Sequence, residues 1–372
     1  DEPETDLEAA AAADLANALA RDRGVFVCRA RPSPVDAERW RDRFDAGVVP
    51  LEGTFDVAPW SAEPAGRVRV TVLREMLRIH EIDVIHSRGE AADRLAGLVN
   101  AGLNLPWFVH LAPAPAEDAA TVDDREPLDA ALVSGVFHDG ADDPLLEDRP
   151  ELAAKRRTFP PPGLRPDFKL DPEATIARRE GEFLVFLIDQ GSEARDAAMR
   201  AVRVLNRTGS TERNGRRARL VAPDAAADVL ALMAQCDAAV APGEALAAGT
   251  ALRIAASLAC RLPVVAPDSG PVHELLTVGG RTAGIAAPAG TEGVLDVDRL
   301  AEALLRYMRD PTLHEAHRER ARALFDARFH VDRAAAACAE AYAHAHDFLA
   351  FPASPRPGAA RDRALKVARE SA

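Results

Sequence analysis

The sequence of 372 residues has few of the features that mark membrane, secreted or nucleic-acid-binding proteins. It contains no uninterrupted run of about 18 apolar residues, which argues against a membrane span. Its formal net charge of −13 argues against nucleic acid as the main partner, because phosphate binding needs a basic surface. Its four cysteines lie far apart, without CxxC or metal-binding spacing, which favours buried thiols in a reduced, cytoplasmic setting. No secretory signal is visible at the start of the sequence.

Most of the common catalytic motifs are also absent. There is no Gly-x-Gly-x-x-Gly after a strand, no Walker loop, no GxSxG and no HExxH. The acidic run Asp139–Asp143 lacks the spacing of a metal-binding loop and is interpreted as a solvated loop. We therefore expect neither a metal ion nor another cofactor.

The most informative stretch that is present lies between residues 236 and 276. It predicts a strand at Ala238–Ala241, a Gly-bearing loop, a helix at Thr250–Ala259, a strand at Leu262–Ala266 and a helix that opens at Val272. This order is that of a parallel βαβ unit, and such sheets bind ligands at the carboxyl ends of their strands. The loops after these two strands are therefore expected to form a site.

This stretch resembles a known family. The text CDAAVAP, SLACRLPVVAPDSG and PVHELL is similar to the nucleotide-sugar half of the group-1 retaining glycosyltransferases of family 4. Earlier in the chain, DVIH and LPWFVHLA follow the order of the strands in the family's first half. The resemblance implies an α/β protein of the GT-B fold, in which two Rossmann-like domains face each other across a cleft. It also implies a C-terminal helix that crosses back to the first domain.

The resemblance also implies a domain plan, in which the family's opening strand is missing because it was either cut or lost. The predicted parts are an acceptor-side domain at residues 1–171, a nucleotide-sugar-side domain at 172–330, a cross-over helix at 331–350 and a tail at 351–372. Within the first domain, residues 68–80 predict an amphipathic helix with Val72, Met76 and Ile79 on one face, and residues 131–135 (ALVSG) predict a strand.

On the donor side, the chain departs from the family. The family places an Arg and a Lys after the first strand of the second domain, whereas Asp189 stands at the Arg position and only Arg195 approximates the Lys. Arg195 is therefore either a phosphate contact or a solvated helix residue. The family's two glutamates are replaced by Ala248 and Ala256. Glu244, a candidate catalytic residue, could contact the transferred sugar from a shifted loop, or it is an exposed loop acid.

The main-chain part of the donor site matches the family better. Gly249 and Thr250 stand at a helix start, where N–H groups and a hydroxyl can bind an anion. Ser269 and Gly270 follow the second strand as the family's glycines do. Glu274 matches the family's acid, which implies a contact with a sugar hydroxyl, and the alternative is a cap of its own helix.

On the acceptor side, three residues at strand ends are candidates. His110 stands two residues before the position of the family's sugar-contacting histidine and faces the same side of the strand, so it is a candidate catalytic residue. The alternative is a buried structural histidine. His86 matches the first histidine of the family's HAH and Arg88 replaces the second, and both are candidates for acceptor binding. An ion pair of Arg88 with Glu90 or Asp93 is the structural alternative.

Two functions remain open at this stage. The first is a divergent glycosyltransferase that moves a hexose, with retention, from a nucleotide-sugar donor to a small or lipid-linked acceptor. The second is a catalytically inactive, glycosyltransferase-like subunit that acts as partner or scaffold of an active homologous glycosyltransferase. A nucleotide-sugar epimerase shares the architecture, but the acid pairs that it needs are not found in the sequence. Fold alone does not decide between these functions.

Overall fold

The fold is that of a computed structural model, which divides into two compact units. The structure describes residues 6–29, 44–54, 64–111, 131–138, 149–158, 163–165, 176–188, 192–208, 217–222, 229–243, 250–268, 270–288 and 296–349. The first unit comprises residues 1–4, 9–160 and 331–372, and the second comprises residues 5–8 and 161–330.

Helices and strands alternate along most of the described chain. Up to residue 160 they are α1 (Asp6–Leu19), β1 (Val25–Arg29), β2 (Val48–Thr54), α2 (Pro64–Ile79), β3 (Ile85–Arg88), α3 (Glu90–Asn100), β4 (Trp107–Leu111), β5 (Gly135–His138), α4 (Pro150–Ala153) and β6 (Arg156–Thr158). The following elements are β7 (Glu182–Leu187), α5 (Ser192–Thr208), β8 (Arg217–Val221), α6 (Val229–Ala234), β9 (Ala238–Val240), α7 (Thr250–Ala259), β10 (Val264–Pro267), α8 (Gly270–Leu276), β11 (Thr277–Val278), β12 (Arg281–Thr282), β13 (Gly284–Ala287), α9 (Val297–Arg309), α10 (Pro311–Arg328) and α11 (Val331–Leu349).

The first unit is built on a parallel sheet in the order β3-β4-β5-β6, beside a separate parallel pair of β1 and β2. Every residue of β4 is buried, as expected for a parallel strand covered on both faces. Trp107 and Val109 pack into one core cluster, whereas Phe108 packs into another with Tyr342 of α11. The predicted return of the last helix to the first unit is thereby confirmed.

One predicted helix face in this unit is only partly correct. Of the three residues expected on the apolar face, Met76 packs against Leu73, Leu95 and Val99, whereas Val72 and Ile79 are 49% and 66% exposed. The buried residue of α2 is Leu73, which packs against Leu95 and Val99 of α3. The apolar side chains of α2 form one broad stripe, and periodicity alone did not select which part of it is buried.

One predicted strand is displaced along the chain. Residues 131–135 were expected to form it, but β5 begins only at Gly135. The preceding residue, Ser134, joins the sheet through its side chain and its backbone: its Oγ accepts the Trp107 N–H at 3.3 Å, and its own N–H donates to the Trp107 carbonyl at 2.7 Å. The apolar residues before Gly135 therefore lead into the strand without belonging to it.

The second unit contains a five-stranded parallel sheet in the order β13-β10-β9-β7-β8. Numbered within the unit, the strands lie in the order 2-1-3-4-5, which is one of the two common orders of doubly wound sheets. The strand order reverses between β7 and β9, and this reversal opens a crevice at the carboxyl ends of those strands. The predicted helix Thr250–Ala259 is confirmed at both ends as α7, and the strands on either side of it are found within two residues of their predicted starts.

At the opposite, amino end of this sheet, Asp237 accepts hydrogen bonds from several donors at once. Its carboxylate accepts the Leu184 N–H at 2.7 Å and two hydrogen bonds from Arg178 at 2.8 and 3.0 Å. Its backbone carbonyl lies 2.7 Å from Nε2 of His314. This polar cluster is structural, because it lies away from the carboxyl ends where ligands bind.

Candidate functional site

The candidate site of the second unit lies where the strand order reverses. Directly after β7, the N–H of Ile188 donates to the carbonyl of Val240 at 2.9 Å, and the N–H of Ala241 donates to the carbonyl of Val265 at 2.9 Å. These bonds hold the ends of three neighbouring strands in register, so that the loops that follow β7, β9 and β10 all leave from one edge of the sheet. Loops at such an edge are where doubly wound sheets bind ligands.

A cation that the sequence analysis did not select reaches this edge. Arg253 stands in the first turn of α7, and its Nη1 donates to the carbonyl of Ile188 at 3.1 Å. The side chain is partly buried, while most of α7 is buried around it. Its guanidinium therefore lies at the crevice between β7 and β9. The available signal was a basic residue three positions after Thr250, in the first turn of the helix that follows the Gly-bearing loop.

The predicted donor-side residues fall into two groups. Glu244, Gly249 and Ser269 lie outside the described residues. Thr250 is the first residue of α7 and is 2% exposed, and Gly270 is the first residue of α8, with a positive φ of 75° that favours glycine.

Two predicted charged residues of this side are exposed. Arg195 stands in the first turn of α5 and forms no ion pair with a described carboxylate. The Glu274 side chain accepts no hydrogen bond from the described part of the chain. Its backbone carbonyl accepts Nη1 of Arg328 at 2.8 Å, so the end of α8 is capped by Arg328. Burial lowers the pKa of Arg328, and the nearby Glu274 carboxylate opposes that shift.

In the first unit, the three predicted acceptor-side residues share one face of the sheet. His86 and Arg88 are two residues apart on β3, and Arg88 pairs in register with His110 on β4. The rings of His86 and His110 are stacked with centroids 5.9 Å apart. His110 is 1% exposed, so it is buried as the structural alternative required. The structure thus brings these three residues together at neighbouring positions near the carboxyl end of the sheet.

The environment of His86 keeps its ring neutral. Nδ1 lies 2.6 Å from the hydroxyl oxygen of Tyr342. Burial, with the nearby His110 and Arg88 acting in the same direction, lowers the pKa of His86 to about 3. Charge on the imidazole is disfavoured because it would be removed from water and placed beside a cation. At neutral pH, His86 can therefore take part in hydrogen bonding but brings no positive charge.

The carboxylate that was considered as a partner for Arg88 has another role. Asp93 is buried and its Oδ1 accepts the Ser87 hydroxyl at 2.6 Å, while the Trp107 indole N–H donates to Ser87 Oγ at 2.8 Å. This chain of hydrogen bonds ties the end of β3 to β4 and α3. None of the described carboxylates forms an ion pair with Arg88, so its charge remains available at the carboxyl end of β3.

Within the described ranges, no group of three or more His, Cys, Asp or Glu side chains lies close enough to hold a metal ion. None of the helices that the structure describes is both long and apolar enough to cross a membrane.

Comparison with known proteins agrees with this architecture. Residues 193–310 match the family model of the glycosyl transferases group 1. HepE from Anabaena, solved in complex with UDP and glucose, is 17% identical with a TM-score of 0.63 over 92% of this chain and 98% of HepE. A glycosyltransferase from Rickettsia africae is 13% identical with a TM-score of 0.62, covering 91% and 94% of the two chains. Sucrose-phosphate synthase from Thermosynechococcus elongatus is 17% identical with a TM-score of 0.59, covering 91% and 92%.

No curated protein has a matching sequence. The structural matches define the class: an α/β protein of the two-domain GT-B type, as the sequence predicted. The resemblance to the group-1 glycosyltransferases is confirmed by the family match in the second unit.

Proposed function

We propose that this chain is a glycosyltransferase that moves a hexose from a nucleotide-sugar donor to a small or lipid-linked acceptor with retention of configuration. The observation that carries the proposal is the position of Arg253, whose guanidinium lies at the crevice where the second sheet reverses its strand order. HepE, which has a similar fold, was solved with UDP and glucose, which supports a nucleotide-sugar ligand.

The donor diphosphate is the group that requires this cation. When the bond between the anomeric carbon and the diphosphate oxygen breaks, negative charge develops on the leaving group, and a preorganised cation stabilises it. Arg253 supplies a charge in the first turn of α7, where the helix N-terminus also favours an anion. In this proposal Arg253 takes over the task of the family's Arg and Lys, for which Asp189 is a poor substitute. Arg195, Gly249, Thr250, Ser269 and Gly270 complete the donor site.

We assign the acceptor to side chains of the first unit and the transferred sugar to side chains of the second. Arg88 offers a cation for an acceptor phosphate or carboxylate, and His86 offers a neutral imidazole for a hydroxyl. Glu244 and Glu274 bind hydroxyls of the transferred hexose, and His110 supports His86 from the neighbouring strand. In the reaction, the acceptor oxygen bonds to the anomeric carbon on the face that the diphosphate leaves, and the acceptor proton passes to a leaving-group oxygen.

Calorimetric titration with UDP-, GDP- and ADP-glucose tests the donor assignment. Arg253→Gln should weaken binding of the preferred donor at least about tenfold, because a charge-assisted hydrogen bond to phosphate is lost. Arg261→Gln is the matched control: Arg261 follows the other end of α7 and pairs on the surface with Glu315 at 2.9 Å. The control should bind the donor as the unchanged protein does. Equal binding by both variants would remove Arg253 from the site.

The second candidate function is a non-catalytic subunit that partners an active glycosyltransferase. It is favoured by Ala256, which occupies the position of a family glutamate and is 0% exposed within α7. Failure of all three nucleotide sugars to bind, at concentrations that saturate an active group-1 enzyme, would support this function and reject the first. Formation of transfer product with the same anomeric configuration as the donor, read by proton NMR, would reject the subunit function.

A further inference from the structure

Polar side chains lie within the otherwise apolar contact between the last helix and the sheet of the first unit. Cys338 and Tyr342 stand one turn apart on α11, on the side that packs against Phe108 and Phe137. The Cys338 thiol lies beside the Tyr342 hydroxyl. The same hydroxyl lies 2.6 Å from Nδ1 of His86. Tyr342 thus links the helix to the candidate acceptor site.

The protonation states of Cys338, Tyr342 and His86 at neutral pH are defined. Burial raises the pKa of the Cys338 thiol to about 12 and raises the pKa of Tyr342 well above its ordinary value. Both groups therefore keep their protons at neutral pH, and His86 is neutral with one ring proton. The next step is to decide which group donates in the hydrogen bond between Tyr342 and His86.

The relative strengths of the acceptors decide that direction. A tyrosine hydroxyl has one proton, which it donates either to imidazole Nδ1 or to the cysteine sulfur. Imidazole nitrogen is a good acceptor and sulfur a weak one, and the 2.6 Å separation between the oxygen and Nδ1 is short. Tyr342 therefore donates to His86. In this arrangement the ring proton of His86 is on Nε2, because the hydrogen bond at one nitrogen fixes the other.

We propose that Tyr342 is a positioning residue that fixes the Nε2–H tautomer of His86 and so makes this histidine a hydrogen-bond donor to the acceptor substrate. Within the described residues, Nε2 of His86 has no hydrogen-bond partner. A neutral Nε2–H binds an acceptor oxygen and cannot remove a proton from it. The role assigned to the substrate rests on the proposed function, whereas the tautomer is a property of the protein alone. It follows that the last helix, distant in sequence, determines the chemistry of a residue on β3.

Nitrogen-15 NMR of the histidine rings in the full chain tests the tautomer directly. The His86 signals are identified by their loss in His86→Gln. In the unchanged protein, Nε2 should carry the proton and Nδ1 should show the signature of a hydrogen-bonded acceptor. In Tyr342→Phe, which keeps the ring and removes only the hydroxyl, the Nδ1 signal should move to that of a nitrogen without this bond. A proton on Nδ1 in the unchanged protein would overturn the proposal, and this measurement requires no variant at position 342.

Tyr307 provides a matched control within the same molecule. It is a buried tyrosine of α9 whose hydroxyl lies 2.9 Å from Nδ1 of His317, far along the sequence from the acceptor side. Tyr307→Phe removes an equivalent hydroxyl from an equivalent Tyr–His contact. It should leave the His86 signals in place, whereas Tyr342→Phe should move them. Equal responses to the two variants would mean that the His86 signals report general loosening, and would overturn the proposal.

Transfer kinetics distinguish a failure of this proposal from a failure of the proposed function. Tyr342→Phe should raise the KM for the acceptor about fivefold, the effect of one misdirected hydrogen bond, and leave donor binding unchanged. An unchanged acceptor KM together with normal donor binding would overturn the positioning role while the proposed function stands. Absence of donor binding in the unchanged protein would instead reject the proposed function, and the NMR result would still decide the tautomer.

Discussion

Gly284 is the position at which the second sheet leaves no space for a side chain. It pairs in register with Val264, and a Cβ placed on Gly284 would lie 1.8 Å from the Val264 carbonyl oxygen. The atom in the way belongs to the backbone, so it can move only with its strand. Gly284→Ala should therefore separate β13 from β10 and lower the free energy of unfolding by at least about 3 kcal/mol. Urea titration followed by far-UV circular dichroism measures this loss.

Gly97 on α3 is the matched control for this substitution. A Cβ there would lie 3.3 Å from the Trp107 ring, a contact that a small shift relieves. Alanine is also favoured over glycine inside a helix by about 1 kcal/mol, which offsets the crowding. Gly97→Ala should change the free energy of unfolding by less than about 1 kcal/mol. If both variants were equally stable, backbone crowding at Gly284 would not be the cause.

Single residues also show where sequence patterns reach their limit. Arg88 and His110 could be predicted to be neighbours, because both stand near the ends of strands that a parallel sheet places side by side. Arg253 could not be selected in the same way, since the family places its cations after β7 and Arg253 arrives from α7. Tyr342 is 256 residues from His86, and no local pattern joins a hydroxyl on a helix to an imidazole on a strand.

At the scale of elements, type was easier to predict than orientation. The central strands β4, β7, β9 and β10 are largely apolar runs because parallel strands are buried on both faces, and those runs could be found from sequence. The bounds of α7 followed from the glycine before it, the threonine at its start and the Arg261–Leu262 break after it. The buried face of α2 followed only in part, because the apolar stripe of that helix is wider than the surface that packs on α3.

The contact between the first and last helices of the first unit depends on small side chains. Ala18 of α1 packs with Val331 and Ala335 of α11, and all three are buried. Ala335→Leu would place three further carbon atoms in this contact and should lower the free energy of unfolding by about 1 to 3 kcal/mol.

Ala336 is the matched control for the helix contact. It is the next residue of α11 and is exposed, so Ala336→Leu has the same helix propensity change without the crowding. Its free energy of unfolding should remain within about 0.5 kcal/mol of the unchanged protein, as for most surface substitutions. Equal losses in the two variants, measured by thermal unfolding, would show that the small side chains are not required for this contact.

For the whole molecule, the resemblance to the group-1 glycosyltransferases predicted two Rossmann-like units, and the structure has a parallel sheet in each. The formal net charge of −13 sets the general response to pH, yet the half-buried His86 adds a specific contribution. His86 has a pKa of about 3 in the folded protein, below the ordinary value near 6.5, so the unfolded chain binds a proton that the folded one excludes. Its contribution to stability is fully present above about pH 6.5 and is lost as the pH falls toward 3.

Replacing the imidazole by an amide tests this contribution. His86→Asn retains a hydrogen-bond acceptor for Tyr342 but does not titrate in this range. Between about pH 8 and pH 5, the free energy of unfolding of the unchanged protein should therefore fall further than that of the variant, by at most about 1.4 kcal/mol for each pH unit below 6.5. Urea denaturation at both pH values measures the difference, and the value at pH 8 is the internal control because His86 is neutral there in both states. Parallel slopes in the two proteins would mean that the imidazole accepts a proton in the folded state, which the burial of His86 beside His110 and Arg88 disfavours.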